Sequence, residues 1–101
     1  MELKIDFTRD EKGGRWSAKD PENPEREAYM SFIQAGSQKI IIDHTIVPPD
    51  FSQKGTGKAL LKAAIAYMRA EKITTMPTCP FALAQLKKYP EWHDVLDPSQ
   101  R

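Results

Sequence analysis

Val47-Pro48-Pro49-Asp50-Phe51-Ser52-Gln53-Lys54-Gly55-Thr56-Gly57-Lys58 joins an apolar, strand-like segment to an amphipathic helix through two glycines. Glycine lets the backbone turn tightly and approach a ligand with no Cβ in the way. The first turn of the helix behind it presents N–H groups that have no intrahelical partner. Together these make an anion site, to which Lys54 and Lys58 add positive charge. Gln53, Lys54, Gly55, Thr56, Gly57 and Lys58 are therefore the candidate ligand contacts on this loop. Upstream, Lys39-Ile40-Ile41-Ile42-Asp43-His44-Thr45-Ile46-Val47 is rich in β-branched residues and is closed by two prolines, the signature of a strand. Downstream, Leu60, Leu61, Ala64, Ile65 and Met68 recur at helical spacing with Lys58, Lys62 and Arg69 on the other side, which predicts a helix over 55–71. Lys72-Ile73-Thr74-Thr75-Met76 reads as a second strand, and a crossover of this length makes it parallel to the first and right-handed.

Two phosphate loops can be tested against this spacing. A nucleotide P-loop needs Gly five residues ahead of its Gly-Lys pair and Ser or Thr after it, but Ser52 and Ala59 hold those positions. The dinucleotide-binding pattern needs Gly three residues beyond Gly57, where Leu60 stands. What remains is Gly-x-Gly, a spacing that serves a plain tight turn as readily as an anion site.

The wider context is more specific. Val47, Pro49, Phe51, Gly55 and Gly57 follow the pattern Val-x-Pro-x-aromatic-(basic or Gln)-x-x-Gly-x-Gly, which resembles the acetyl-coenzyme A motif of the GNAT superfamily of N-acetyltransferases. Ser52 departs from it, where the superfamily usually has Arg or Gln. His44-Thr45, Cys79-Pro80-Phe81 and Tyr89-Pro90-Glu91-Trp92 look like those of the small, single-domain GNAT-like proteins, and the resemblance spans roughly residues 39–96. It implies a pyrophosphate on the loop amides, with Thr45, Ile46 and Val47 running beside the pantetheine arm as an added strand would. It also implies an Asn-x-x-Ala-x-x-x-Tyr helix whose Tyr protonates the departing thiolate. In this chain those positions hold Cys79, Ala82 and Leu86, so the usual acid is missing.

Cys79 follows the second strand and precedes Pro80, whose fixed φ suits the first position of a helix. A thiol at a helix N-terminus feels the dipole and can become a better nucleophile or proton donor, although cysteine is also among the residues most often buried and inert. The resemblance implies a place for Cys79 near the thioester. His44, three residues before Val47, is expected on the opposite face of the strand, as a hydrogen-bonded surface residue or as a general base for an amine that must be neutral to attack. Cys79 and His44 are the candidate catalytic pair. Glu27 and Asp43 are possible bases that no spacing selects, and Trp92 and His93 are expected to pack the C-terminus.

Composition sets bounds on this. A chain of 101 residues has room for one core, and 40% hydrophobic with 29% charged residues is ordinary for a globular protein. Fifteen Lys and Arg against 14 Asp and Glu leave it nearly neutral, with no basic tract to suggest nucleic acid. No apolar run approaches the ~20 residues that span a bilayer, and the N-terminus lacks a signal-peptide apolar region. The single Cys suits a reducing cytoplasm, and two His with one Cys do not fall at metal-ligand spacing.

The first half of the chain predicts an antiparallel meander: 1–7 with Leu3, Ile5 and Phe7 on one face, 15–18, and 27–34 with Ala28, Met30 and Phe32 alternating. Turns are expected over 11–14, 19–25 and 35–37. The whole therefore reads as one α/β domain over 1–101, a mixed, mostly antiparallel sheet with a parallel strand pair around the Gly-loop helix. Its expected cofactor is acetyl-coenzyme A or coenzyme A, and its expected partner a small-molecule or peptide amine, with no nucleic acid and no membrane, as a monomer or weak dimer. A coenzyme A-binding module without turnover, and an interaction domain whose glycine loop is only a turn, are the alternatives.

Overall fold

The computed structural model describes residues 4–52 and 55–100. In chain order it contains β1 (Asp6–Arg9), β2 (Gly13–Asp20), β3 (Asn23–Gln34), β4 (Lys39–Ile46), α1 (Thr56–Glu71), β5 (Thr74–Thr75) and α2 (Pro80–Lys88), with short 3-10 turns at Pro90–Trp92 and Pro98–Gln100. The five strands lie side by side in sequence order. The first four are antiparallel and β5 runs parallel to β4. This is the mixed α/β architecture expected from the sequence, and no helix of the described residues is long and apolar enough to cross a membrane.

Alternation builds the core. Trp16 and Ala18 of β2, Ala28, Met30 and Phe32 of β3, and Ile40 and Ile42 of β4 are all buried, as period two requires for one face of a sheet. Leu60, Leu61, Ala64, Ile65 and Met68 of α1 and Ala82 and Leu86 of α2 join them in a single cluster, so both helices cover the same face. Each fully buried Leu or Ile there contributes about 1.5–3 kcal/mol. The opposite face, with Arg15 and Ile33 exposed on it, carries no helix among the described residues.

The element boundaries differ from those expected. Residues 13–14 belong to β2 and not to a turn: a Cβ on Gly14 would stand 2.3 Å from the carbonyl oxygen of Thr8, so the glycine permits close strand approach. The turn is closed instead by Asp10, whose Oδ1 accepts the N–H groups of Lys12 at 2.8 Å and Gly13 at 3.1 Å. Likewise the polar stretch 19–25 is mostly strand, with Asp20 opposite Asn23, a register shift at Lys19–Asp20 and the turn confined to 21–22. Residues 1–3 of the expected first strand lie outside the described residues; Phe7 stacks on Trp16 with ring centroids 5.3 Å apart. Lys72 is the C-cap of α1 in left-handed conformation, φ 56 and ψ 45, which shortens the last strand to two residues.

One irregularity in β4 matters most. Ser31 pairs with His44 but Phe32 pairs with Ile42, leaving Asp43 as an extra residue in β4. The bulge resets the alternation. Before it Ile40 and Ile42 face the helices; after it Thr45, opposite buried Met30, does so.

Candidate functional site

The parallel ladder is short. Lys39 and Ile40 pair with Thr74 and Thr75, Met76 N–H reaches the Ile40 carbonyl at 3.1 Å, and the Ile42 carbonyl accepts from Thr78 at 3.0 Å and Cys79 at 3.1 Å. There the chain turns into α2. Residues 43–46 are then paired on the β3 side alone among the described residues. Where the strands part, a cleft of about 580 Å³ opens on the helix face, lined by Thr45, Val47, Pro48, Pro49, Phe51, Gly55, Thr56, Gly57, Lys58, Phe81 and Gln85.

One end of this cleft is the start of α1. Gly55 is its N-cap with φ 76 and ψ 14, a left-handed conformation that favours glycine, and it brings no capping side chain of its own. Lys58 stands at the same end. Its Nζ donates to the Tyr89 hydroxyl at 3.3 Å and lies 4.6 Å from that ring's centroid. The hydrogen bond from Lys58, with its charge, holds the Tyr89 phenol below its ordinary value of 10.0. The first turn of α1 also leans on α2: a Cβ on Gly57 would meet the Phe81 ring at 3.1 Å.

The other end is where Cys79 meets Thr45. Cys79 is the N-cap of α2, with Pro80 behind it in the first turn, and it is 4% exposed. Its Sγ lies 3.2 Å from Thr45 Oγ1, a contact that the bulge creates by turning Thr45 toward the helices. Leu86, at the position where the resembled family carries Tyr, is fully buried in the core.

The candidate residues thus fall into three groups. Thr45, Val47, Gly55, Thr56, Gly57 and Lys58 share the cleft, with Cys79 bonded to its wall. Gln53 and Lys54 lie outside the described residues. His44 and Ile46 are not brought to the cleft: both are exposed, paired with Ser31 and Tyr29, on the face turned away from the helices. Beside His44, Ser31 Oγ donates to Asp43 Oδ1 at 2.7 Å. Phe81 and Gln85 are cleft walls that the sequence reading missed; their spacing of four, counted from the Cys79-Pro80 cap, puts them on one stripe of α2. No cluster of three or more His, Cys, Asp or Glu that could hold a metal occurs among the described residues.

A family model described as GCN5-related N-acetyl-transferase matches residues 15–95. Among solved structures, the chain is similar to a GCN5-like protein of Staphylococcus aureus determined by NMR in solution, with 27% identity, a TM-score of 0.69, and coverage of 91% of this chain and 87% of that one. No curated protein matches the sequence significantly.

Proposed function

Since the chain belongs to the GCN5-related N-acetyltransferase family, we propose that it binds acetyl-coenzyme A in the cleft between β4 and α2 and transfers the acetyl group to an amine. The observation that carries this reading is the early parting of β4 from β5. It leaves a strand edge over 44–46 and, in the same cleft, the helix start at 55–58, whose N-cap glycine brings no side chain of its own. An extended arm can add to the edge by main-chain hydrogen bonds while a pyrophosphate sits on the helix N-terminus. The polar adenosine end then lies toward Lys58 and the thioester toward Thr45 and Cys79.

In this reaction the amine nitrogen attacks the thioester carbonyl carbon, the C–S bond breaks, the thiolate of coenzyme A gains a proton and the new amide loses one. Cys79 is the side chain suited to the thioester end, as the proton donor to the departing thiolate or as a transient acyl carrier. His44 stands across the sheet from this cleft, so it serves as general base only for an acceptor that enters through the gap where β4 and β5 part. Buried Leu86 in place of the usual Tyr favours a second reading, a coenzyme A-binding module without turnover. A cytoplasmic location belongs to the same reading, since a lone thiol suits a reducing compartment.

Thermal denaturation tests the cofactor. At a ligand concentration about 100 times the dissociation constant, linkage adds roughly 2.7 kcal/mol, a rise in Tm on the order of 10 °C for a chain of this size. No shift in millimolar coenzyme A removes the assignment. An acceptor screen that monitors free thiol then separates transfer from binding, and intact mass after incubation with acetyl-coenzyme A reveals an acetyl-Cys79 species.

A further inference from the structure

The hairpin between β2 and β3 grips the loop that leads into α1 through one buried carboxylate. Asp20 is 1% exposed and ends β2 at its register shift. Its Oδ2 accepts the Ser52 N–H at 2.8 Å and approaches Arg26 Nη1 at 3.5 Å. Its Oδ1 accepts the Glu22 N–H at 2.9 Å and the Ser52 hydroxyl. Arg26 directs its Nε to Asp50 Oδ2 at 2.9 Å. Both neighbours of Phe51 are thereby tied to one hairpin, and Phe51 is a wall of the cleft. Phe51 N–H closes the loop on the Pro48 carbonyl at 3.0 Å.

A buried carboxylate carries a desolvation cost that its partners must outweigh, so their placement is specific. Its value is geometric: four donors converge on two oxygens, and two of them come from Ser52. Ser52 is also the residue that departs from the resembled motif, where Arg or Gln is usual. Its hydroxyl is turned to Asp20, away from any ligand role.

We infer that Asp20 and Arg26 are positioning residues, a clasp that holds residues 50–52 so that Phe51, a wall of the cleft, stands ready for the ligand. The inference rests on the reading of the cleft as the acetyl-coenzyme A site. The clasp acts on cofactor affinity and leaves the chemical step alone, since none of its members lines the cleft.

The test combines amide hydrogen exchange of the ligand-free protein with calorimetric titration by coenzyme A and, where transfer is detected, a KM-against-kcat split. Ser52→Ala and Asp20→Asn are expected to speed exchange over 50–52 and to weaken coenzyme A binding about tenfold, the scale of a lost charge-assisted hydrogen bond, at unchanged kcat. Ser52→Thr, which keeps the hydroxyl, is expected to restore both. Ser52→Ala retains the backbone donor and the hairpin contacts, so it remains informative if Asp20→Asn does not fold. A parent that binds coenzyme A while Ser52→Ala binds and exchanges like it overturns the clasp alone. A parent that does not bind overturns the functional reading and the clasp with it.

Discussion

Gly57→Val separates a ligand loop from an ordinary turn. The added Cβ would stand 3.1 Å from Phe81 Cζ and 3.4 Å from Cε2, inside the ~3.5–4.0 Å of a comfortable carbon contact. The Phe81 ring must give by a few tenths of an ångström, which is a small cost because the ring is only partly buried. Against it, replacing Gly in a helix gains a few tenths of a kcal/mol, so stability should change by less than about 1 kcal/mol. The two γ-methyls, however, enter the space between two cleft walls and stand where a phosphate must approach the backbone. Coenzyme A affinity should fall more than tenfold, over ~1.4 kcal/mol. Lys62→Ala, on the exposed side of the same helix, should leave affinity within about twofold at fixed ionic strength. Calorimetric titration of both variants, after circular dichroism has established that each is folded, is the assay. Equal binding by the two would refute the ligand loop and leave Gly57 as a residue of a turn.

Three further outcomes follow from the same structure. Cys79→Ser should keep coenzyme A affinity and lose acetyl transfer; a variant that retains full turnover would make Cys79 a packing residue. Leu61→Ala, at a fully buried position of α1, should cost about 2–5 kcal/mol in chemical denaturation, and a loss under ~1 would contradict the packing described. Acid should destabilise the fold late. Burial disfavours the charge of Asp20, but the Ser52 hydroxyl, the Glu22 and Ser52 N–H groups and Arg26 outweigh it and hold the carboxyl at about 2, while Lys39 and Ser99 do the same for Asp97, against an ordinary value of 3.8. Both are lowered in the folded state, so their contribution is complete above 3.8 and is lost as pH falls toward about 2; Tm should be flat above that window and drop through it, and Asp97→Asn should flatten the drop.

The strand, loop and helix at 39–71 were legible because each carries its own local signal: β-branched residues closed by prolines, two glycines, and a 3.6-residue apolar stripe. Gly13-Gly14 misled because glycine marks a close strand approach and a turn with the same letter. Residues 19–25 misled because hydrogen-bonded pairing in a hairpin tolerates polar and exposed side chains. The bulge at Asp43 had no signal at all, since a strand one residue out of register has the same composition as a regular one. Yet the bulge is what turns Thr45 to Cys79. Asp20 was equally silent: its carboxylate acquires meaning only when Ser52, 32 residues later in the chain, folds back onto it.

The parting of β4 from β5 leaves a row of main-chain donors and acceptors inside the sheet, away from its β1 edge. Such a row is a template for any extended chain, including a neighbour's. If the proposed cofactor lies along it, it excludes a second strand there and doubles as a guard against edge-to-edge aggregation. Val47, exposed at that edge, is where a partner strand would first take hold.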